Sequence, residues 1–335
     1  MPDDEIPDGL VDDLKSGMTY DDFSEEYDWS RDKARSVVEE LRATGRDISE
    51  KTVDQYGTKM YQIEDEVDDT WRWVNEDGHY NFAVISDTHL GSTGEQLDSL
   101  NDFYDRLEDE DIDVVFHAGD ISDGTVKNNG RGVYRGHSNH LQPEAIGWDR
   151  LKNYVVENYP ERDGIDTLFI EGNHDHQLFK NTGIRFGEQL DAERDDLHFL
   201  GDSYANIDLG EVDMDLVHPS GGAPYTLGYR AQTWLRDKPD EQKADITVFG
   251  HLHQFLNAET EGSQVLYAGA WQGPTPFLER KGIKPKAGGW IVDMEVEDGD
   301  IRSWQTNRVM YPIEGESDLS SDDISKMLEG DGERA

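Results

Sequence analysis

The sequence predicts an α/β domain of layered sheets flanked by helices, preceded by a small helical module that ends in a hairpin. Three observations carry this. From Trp71 to about Tyr311, short apolar runs alternate with helical stretches, the pattern of covered sheets. The first 64 residues instead hold capped helical segments and two short alternating runs. The 335 residues include 8 Trp, 14 Tyr and 11 Phe, enough large side chains to build a core although hydrophobic residues make up only 35%.

In the N-terminal module, Leu10, Val11 and Leu14 make a short apolar face. Thr19 is placed to cap a second helix through Tyr27, and Ser30 to cap a third that runs to Thr44, where Gly45 stops it. Residues 48–53 and 59–63 then alternate around Gly57 like the two strands of a wing. The stretch from Gly17 to Ile48 resembles a winged helix-turn-helix. From Ser30 to Arg46, Arg31, Lys33, Arg35, Arg42 and Arg46 stand against Asp32, Glu39 and Glu40, a positive stripe in an otherwise acidic chain. The resemblance implies DNA contact through Arg31, Lys33 and Arg35. Such modules also serve protein contact or dimerisation, and both uses stay open at this point.

An acidic linker follows, and the expected organisation is a winged-helix domain at 1–64, a linker and lead-in at 65–79, the α/β domain at 80–312 and an acidic tail at 313–335. Within the α/β domain the apolar runs are 82–85, 114–116, 168–170, 214–217 and 246–249. Helical stretches are expected at 95–107, 143–159 and 227–236, with an insertion at 127–142.

Composition narrows the chemistry. With 74 Asp+Glu against 31 Lys+Arg the formal net charge is -43. Self-repulsion on that scale opposes compaction at ordinary ionic strength, and molar salt removes most of it by shortening the screening length to about 3 Å. The acid excess, low Lys and absence of Cys resemble proteins of extremely halophilic archaea or their viruses. Zero Cys excludes disulfides and thiolate metal sites, so any metal must be held by His, Asp, Glu or Asn. The sequence has neither an apolar run of about 18 residues nor a signal-peptide start, and the expectation is a cytoplasmic protein with no membrane partner.

Each apolar run ends in polar residues suited to chemistry: Asp87-Thr88-His89, then Gly119-Asp120-Ile121-Ser122-Asp123, then Gly172-Asn173-His174-Asp175, then His218, then Gly250-His251-Leu252-His253. Open α/β sheets place their sites at such strand ends. Alternate residues in a strand-to-loop turn project to one side, so Asp87 with His89, and His251 with His253, can each offer two ligands to one region. Oxygen and imidazole donors without thiolate suit Mn, Fe, Co, Ni or Zn.

These motifs, D-x-H, GD-x-x-D, GNH-D, H and GH-x-H, resemble those of the calcineurin-like metallophosphoesterases over roughly residues 81–272. The resemblance implies a layered β-sandwich fold and a pair of divalent metal ions, Mn foremost. It places one metal on Asp87, His89, Asp120 and His253, and the second on Asp120, Asn173, His218 and His251. His174 would act on the leaving oxygen, with Asp123 orienting its imidazole. Five of the eleven histidines fall on these positions. Among the others, His117 is expected near the site, His79 and His198 are expected to be structural, and His137, His140 and His176 are open.

For the substrate, Gly124 and Asp175 stand where protein phosphatases of that family have Arg and Glu. The motif Asp87–Gly91 is similar to the opening motif of the family's double-strand-break repair nuclease. Ala268 to Phe277, followed by Arg280 and Lys281, is similar to a segment of the small exonuclease subunit of archaeal family D DNA polymerase. Lys284 and Lys286 extend that basic run. The expectation is a phosphodiesterase or nuclease acting on nucleic acid. A phosphatase or small-molecule phosphodiesterase, and a DNA-binding protein with an inactive phosphoesterase fold, stand as alternatives. Oligomeric state is not legible.

Overall fold

A computed structural model describes residues 71–313 except 76, 125–140, 222–225, 275–283 and 285. Before these it describes 7, 10, 13–14, 18–27, 29–43, 48–52 and 58–63. The expected Gly45 and Gly57 turns, most of the 127–142 insertion with His137 and His140, Arg280 and Lys281, and the tail beyond 313 lie outside the described residues. So does the side chain of Arg42. The chain packs as two compact units, Met1–Thr70 and Trp71–Ala335.

In the first unit, β1 (Met18–Thr19) leads into α1 (Tyr20–Tyr27), then α2 (Arg31–Ala43), β2 (Ile48–Thr52) and β3 (Lys59–Ile63). Both helix starts follow their capping residues. Thr19 and Asp22 form a reciprocal box, with Thr19 N–H donating to Asp22 Oδ2 at 2.6 Å and Asp22 N–H to Thr19 Oγ1 at 3.3 Å. Ser30 Oγ accepts the Lys33 N–H at 3.3 Å. β2 and β3 pair antiparallel, and β1 joins the outer edge of β3. Leu10, Leu14, Phe23, Ala34, Val37, Val38 and Tyr61 form a core of their own. Arg31 and Arg35 are exposed. Arg31 lies over the Tyr20 ring at 5.6 Å, and Lys33 lies 6.0 Å from the Trp29 ring.

The second unit is a sandwich of two sheets with helices outside. Its strands are β4 (Trp71–Arg72), β5 (His79–Ile85), β6 (Val114–His117), β7 (Asp166–Ile170), β8 (Leu197–Gly201), β9 (Tyr204–Asp208), β10 (Asp213–Val217), β11 (Ile246–Phe249), β12 (Phe255–Thr260), β13 (Ser263–Ala268), β14 (Ala287–Glu297) and β15 (Asp300–Tyr311). Their order is β15-β14-β5-β6-β7-β8 in one sheet and β12-β13-β11-β10-β9-β4 in the other. Neighbours from β5 to β8 run parallel, as do β10, β11 and β13. All five expected apolar runs are strands. Strand alternation sends Phe82, Val84 and Phe116 into the layer between the sheets with Met214, Leu216, Ile246 and Val248. Ala83, Ile85, Val115 and Phe169 point the other way, under α3 (Leu97–Asp109) and α4 (Trp148–Asn158). Burial on both faces is why these strands read as continuous apolar runs.

The 143–159 stretch is not one helix. A single 3-10 turn, Pro143–Ala145, is separated from α4 by Gly147 at φ 106°, which breaks the helical backbone. Two short helices, α5 (Gln177–Thr182) and α6 (Phe186–Asp191), follow β7, and α7 (Tyr229–Arg236) covers the outer face of the second sheet through Ala231 and Leu235. Within the 65–79 lead-in, β4 forms an edge strand by pairing parallel with β9. The long β14–β15 hairpin is a further element that apolar runs did not signal. Its outer strand alternates half-buried and exposed residues. No described helix is long and apolar enough to cross a membrane.

Candidate metal centre

The polar clusters at the ends of β5, β6, β7, β10 and β11 converge, and the loops that carry them are tied directly to one another. Asp87 N–H donates to Gly119 O at 2.9 Å, Gly250 N–H to Val217 O at 2.9 Å and His251 N–H to Asp87 Oδ2 at 2.8 Å. Asp175 clamps two loops at once, its carboxylate accepting from the N–H groups of Ile121, Ser122 and Gly172 and from Ser122 Oγ. Burial, and then the charge of Asp120, pushes its carboxyl up to about 6. Gly172 approaches so closely that a Cβ there would lie 2.1 Å from Asp120 Oδ1. Five proposed ligands, Asp87, His89, Asp120, His251 and His253, have φ between 46° and 69°. That left-handed backbone is costly for residues with a Cβ, and its concentration at one rim marks a site whose surroundings hold it in place.

Of four groups among the described residues that offer donor atoms to a common point, two are made of proposed ligands alone: Asp87, His89 and His253, and Asp120, His218 and His251. The pair His251 and His253 divides between the two groups. Asp120 lies between the groups, its Oδ2 at 3.2 Å from His218 Nε2 and 3.8 Å from His89 Nε2. Asp87 Oδ1 is 3.1 Å from His253 Nε2. Three of the four imidazoles, those of His218, His89 and His251, are aimed by their other nitrogen. His218 Nδ1 is 2.7 Å from Ala118 O, His89 Nδ1 is 3.0 Å from Asp123 Oδ1, and His251 Nε2 is 2.5 Å from Gly221 O. Such contacts leave His218 Nε2, His89 Nε2 and His251 Nδ1 as the atoms that would face a cation.

The residues fit a pair of divalent cations. Asp87 Oδ1, Asn173 Oδ1 and His218 Nε2 are buried without a hydrogen-bond partner, which is costly unless a cation satisfies them. The field is right as well. Burial by itself disfavours charged imidazoles, yet hydrogen bonds to Asp123 and Asp87 and the charge of Asp120 push His89 up to about 10, and Asp120 pushes His218 up to about 9. A pocket that draws protons so strongly draws divalent cations by the same charges.

Asp123 is placed somewhat differently from its expected role. Its carboxylate makes its shorter contact with His89, whereas His174 Nδ1 lies 2.7 Å from the Asp123 carbonyl oxygen and 3.5 Å from its carboxylate. His174 N–H also donates to Asp120 Oδ1 at 2.8 Å, and its ring stands edge-on to His89 with centroids 4.7 Å apart. His117 lies just behind the site, fully buried. Gly119 N–H donates to its Nδ1 at 3.1 Å, and Thr88 Oγ1 is 3.1 Å from its Nε2. Burial drives it down to about 3, so it stands as a neutral strut between two ligand loops. His79 and His198 pair at the surface with Asp293 and Asp166, and His176 packs on Phe179 beside Glu171. Arg31, Lys33 and Arg35 belong to the other unit.

Sequence reasoning passed over Asp175 as a clamp, Ser86, whose hydroxyl donates to Asp87 Oδ2 at 2.6 Å, and the Gly221 carbonyl that aims His251. Only Asp175 carried a signal, being a carboxylate inside a ligand cluster.

No curated protein matches the chain. Among solved structures, a novel archaeal phosphodiesterase is similar at 13% identity and a TM-score of 0.41, over 69% of this chain and 100% of that one. Vps29 complexed with zinc from Entamoeba histolytica is similar at 16% identity and a TM-score of 0.35, over 70% and 100%. A conserved, predicted phosphoesterase from Streptococcus pneumoniae is similar at 18% identity and a TM-score of 0.36, over 70% and 94%. The family model of the calcineurin-like phosphoesterases matches residues 80–284, more than half of the chain and every strand end from Asp87 to His253. The chain therefore belongs to the calcineurin-like phosphoesterases and is a metal-dependent hydrolase of phosphoesters.

Proposed function

We propose that this chain is a two-metal phosphodiesterase acting on nucleic acid, with its N-terminal unit as a winged-helix module that docks DNA. The observation that carries the hydrolytic part is Asp120 Oδ2 set between His218 and His89, one from each ligand group. Asp87, His89, Asp120 and His253 would hold one cation, and Asp120, Asn173, His218 and His251 the other. When bound, such a pair clamps the attacking and leaving oxygens and lowers the pKa of a water between them toward neutrality. The chain's own groups do the rest. His174, held through Nδ1 by the Asp123 carbonyl, would act on the leaving oxygen through Nε2, donating from it as the doubly protonated imidazolium. Asp123 keeps the Nδ1 proton on His89.

Nucleic acid as substrate is supported by three features: exposed Arg31 and Arg35 on a helix that follows a capped turn, exposed Lys284 and Lys286, and the similarity of the 268–277 segment to a DNA exonuclease subunit. Lys and Arg in such positions would follow a phosphate backbone. The acidic surface otherwise suits a cytoplasm of molar salt, where screening removes the repulsion between it and DNA. The test is hydrolysis of single- and double-stranded DNA beside p-nitrophenyl phosphate and its bis ester, in molar KCl with Mn. Cleavage of DNA and of the bis ester is expected. Turnover of the monoester alone would make the protein a phosphatase, and no turnover with intact duplex binding would leave a DNA-binding protein with an inactive fold.

A further inference from the structure

Gln272 is buried at the mouth of the segment leaving β13, with 5% of its surface exposed. Its backbone surroundings are pinned: Trp271 N–H donates to Asp87 O at 2.9 Å, Gln96 N–H to Trp271 O at 2.8 Å and Gly273 N–H to Gly94 O at 2.6 Å. The Trp271 ring anchors the segment between Phe103 and Tyr311. From this fixed base the two amide hydrogens of Gln272 go to two acceptors, Ser92 Oγ at 3.0 Å and Asp123 Oδ1 at 3.3 Å. That same Asp123 oxygen faces His89 Nδ1 at 3.0 Å.

We propose that Gln272 is a positioning residue for the metal centre, acting through Asp123 on His89. Asp123 Oδ1 faces His89 Nδ1, the Gln272 amide and, at 3.5 Å, His174 Nδ1, and the amide adds a donor from a separate, pinned segment that helps fix the carboxylate plane and so the imidazole that donates to it. His89 then presents Nε2 to the cation without first losing rotational freedom, and loss of such outer partners typically weakens metal binding by about 10–100-fold. The residue type matters. A Lys or Arg at this position would also bind Asp123, but its charge would oppose a divalent cation close by, whereas an amide donates without charge. Ser92 completes the device by occupying the second amide hydrogen, which prevents the side chain from turning away from Asp123.

The inference rests on the metal reading of the site, and the experiment separates the two. Mn binding to the full chain in molar KCl is measured by titration calorimetry, beside kcat and KM for bis(p-nitrophenyl) phosphate. Gln272→Leu, which keeps the bulk and removes the donors, is expected to weaken Mn binding about tenfold and lower kcat with little change in KM. Asp123→Asn should weaken it as well, and the double variant should bind Mn no more weakly than Asp123→Asn alone, since the two act on one path. Gln272→Met, unbranched and of similar length, provides the same reading if the Leu variant fails to fold. Unchanged Mn affinity in the Gln272 variant, or additive losses in the double variant, overturns the proposal. A wild-type chain that takes up no Mn overturns the metal reading together with it.

Discussion

Asp120 Oδ2 stands 3.2 Å from His218 Nε2, at the junction of the two ligand groups, while Asp120 Oδ1 accepts the backbone N–H of His174. One oxygen of this carboxylate therefore faces the metal centre and the other holds the loop that carries His174. Asp120→Asn removes the charge that both cations would share and puts a donor on one of the two oxygens. Bound Mn should fall by at least one equivalent, and bis(p-nitrophenyl) phosphate hydrolysis should drop by more than the roughly 10–100-fold expected for loss of an outer partner. Metal analysis of the purified variant beside a rate measurement checks this, and full metal content with full activity would remove Asp120 from the ligand set.

Gly172→Ala tests the close approach behind the same residue. The new Cβ would lie 2.1 Å from Asp120 Oδ1 and 2.3 Å from Asp120 N, and the second of these is backbone, which no side-chain rotation relieves. A cost of about 1–3 kcal/mol is expected, or a Tm lowered by several degrees, at roughly 2–4 °C per kcal/mol in a domain of this size. Metal affinity should fall with it, and a variant with unaltered Tm and metal content would show that the two loops are not in contact.

Lys238 supplies a stability prediction away from the site. Its ammonium lies 2.5 Å from the fully buried Asp215 Oδ2, with Tyr204 and Asn206 on Oδ1, and sits over the Tyr204 and Trp234 rings. Lys238→Met leaves that carboxylate without its cation, which should cost about 3–5 kcal/mol. Thermal unfolding should move down by on the order of 10 °C, with activity per folded molecule unaltered below the new transition. A shift under 2 °C would mean that solvent reaches Asp215 in the folded protein.

With 74 carboxylates against 31 basic side chains, cooperative unfolding should be lost below a few tenths molar salt and regained in molar KCl. Circular dichroism melts across a KCl series report it directly. Equal stability without salt would remove the halophilic reading.

Arg31→Glu combined with Arg35→Glu reverses two exposed charges on α2 and leaves the other unit untouched. Duplex affinity, read by fluorescence anisotropy at the lowest salt that keeps the chain folded, should fall about tenfold or more. Hydrolysis of the small diester should not change. Unaltered duplex binding would assign the N-terminal unit to protein contacts or oligomerisation.

Much of this molecule was legible in the sequence because the relevant physics is local. Thr19 and Ser30 cap their helices through side chains that reach only three residues along, and the doubly covered strands announce themselves as apolar runs. The polar clusters after those runs were visible for the same reason, since a strand end is defined by its neighbours in sequence. What the tertiary structure decided is which contacts hold those clusters in place. His251 and His253 go to different groups because left-handed backbone at both positions, and the Gly221 carbonyl 30 residues away, set the two rings apart. Asp123 turned its carboxylate to His89 and its carbonyl to His174, a choice made by groups that meet only when β5, β6 and β7 lie side by side. Asp175, His117 and Gln272 acquired their roles the same way. Each takes its place in the site because packing brings a donor and an acceptor from separate segments within 3.3 Å of each other.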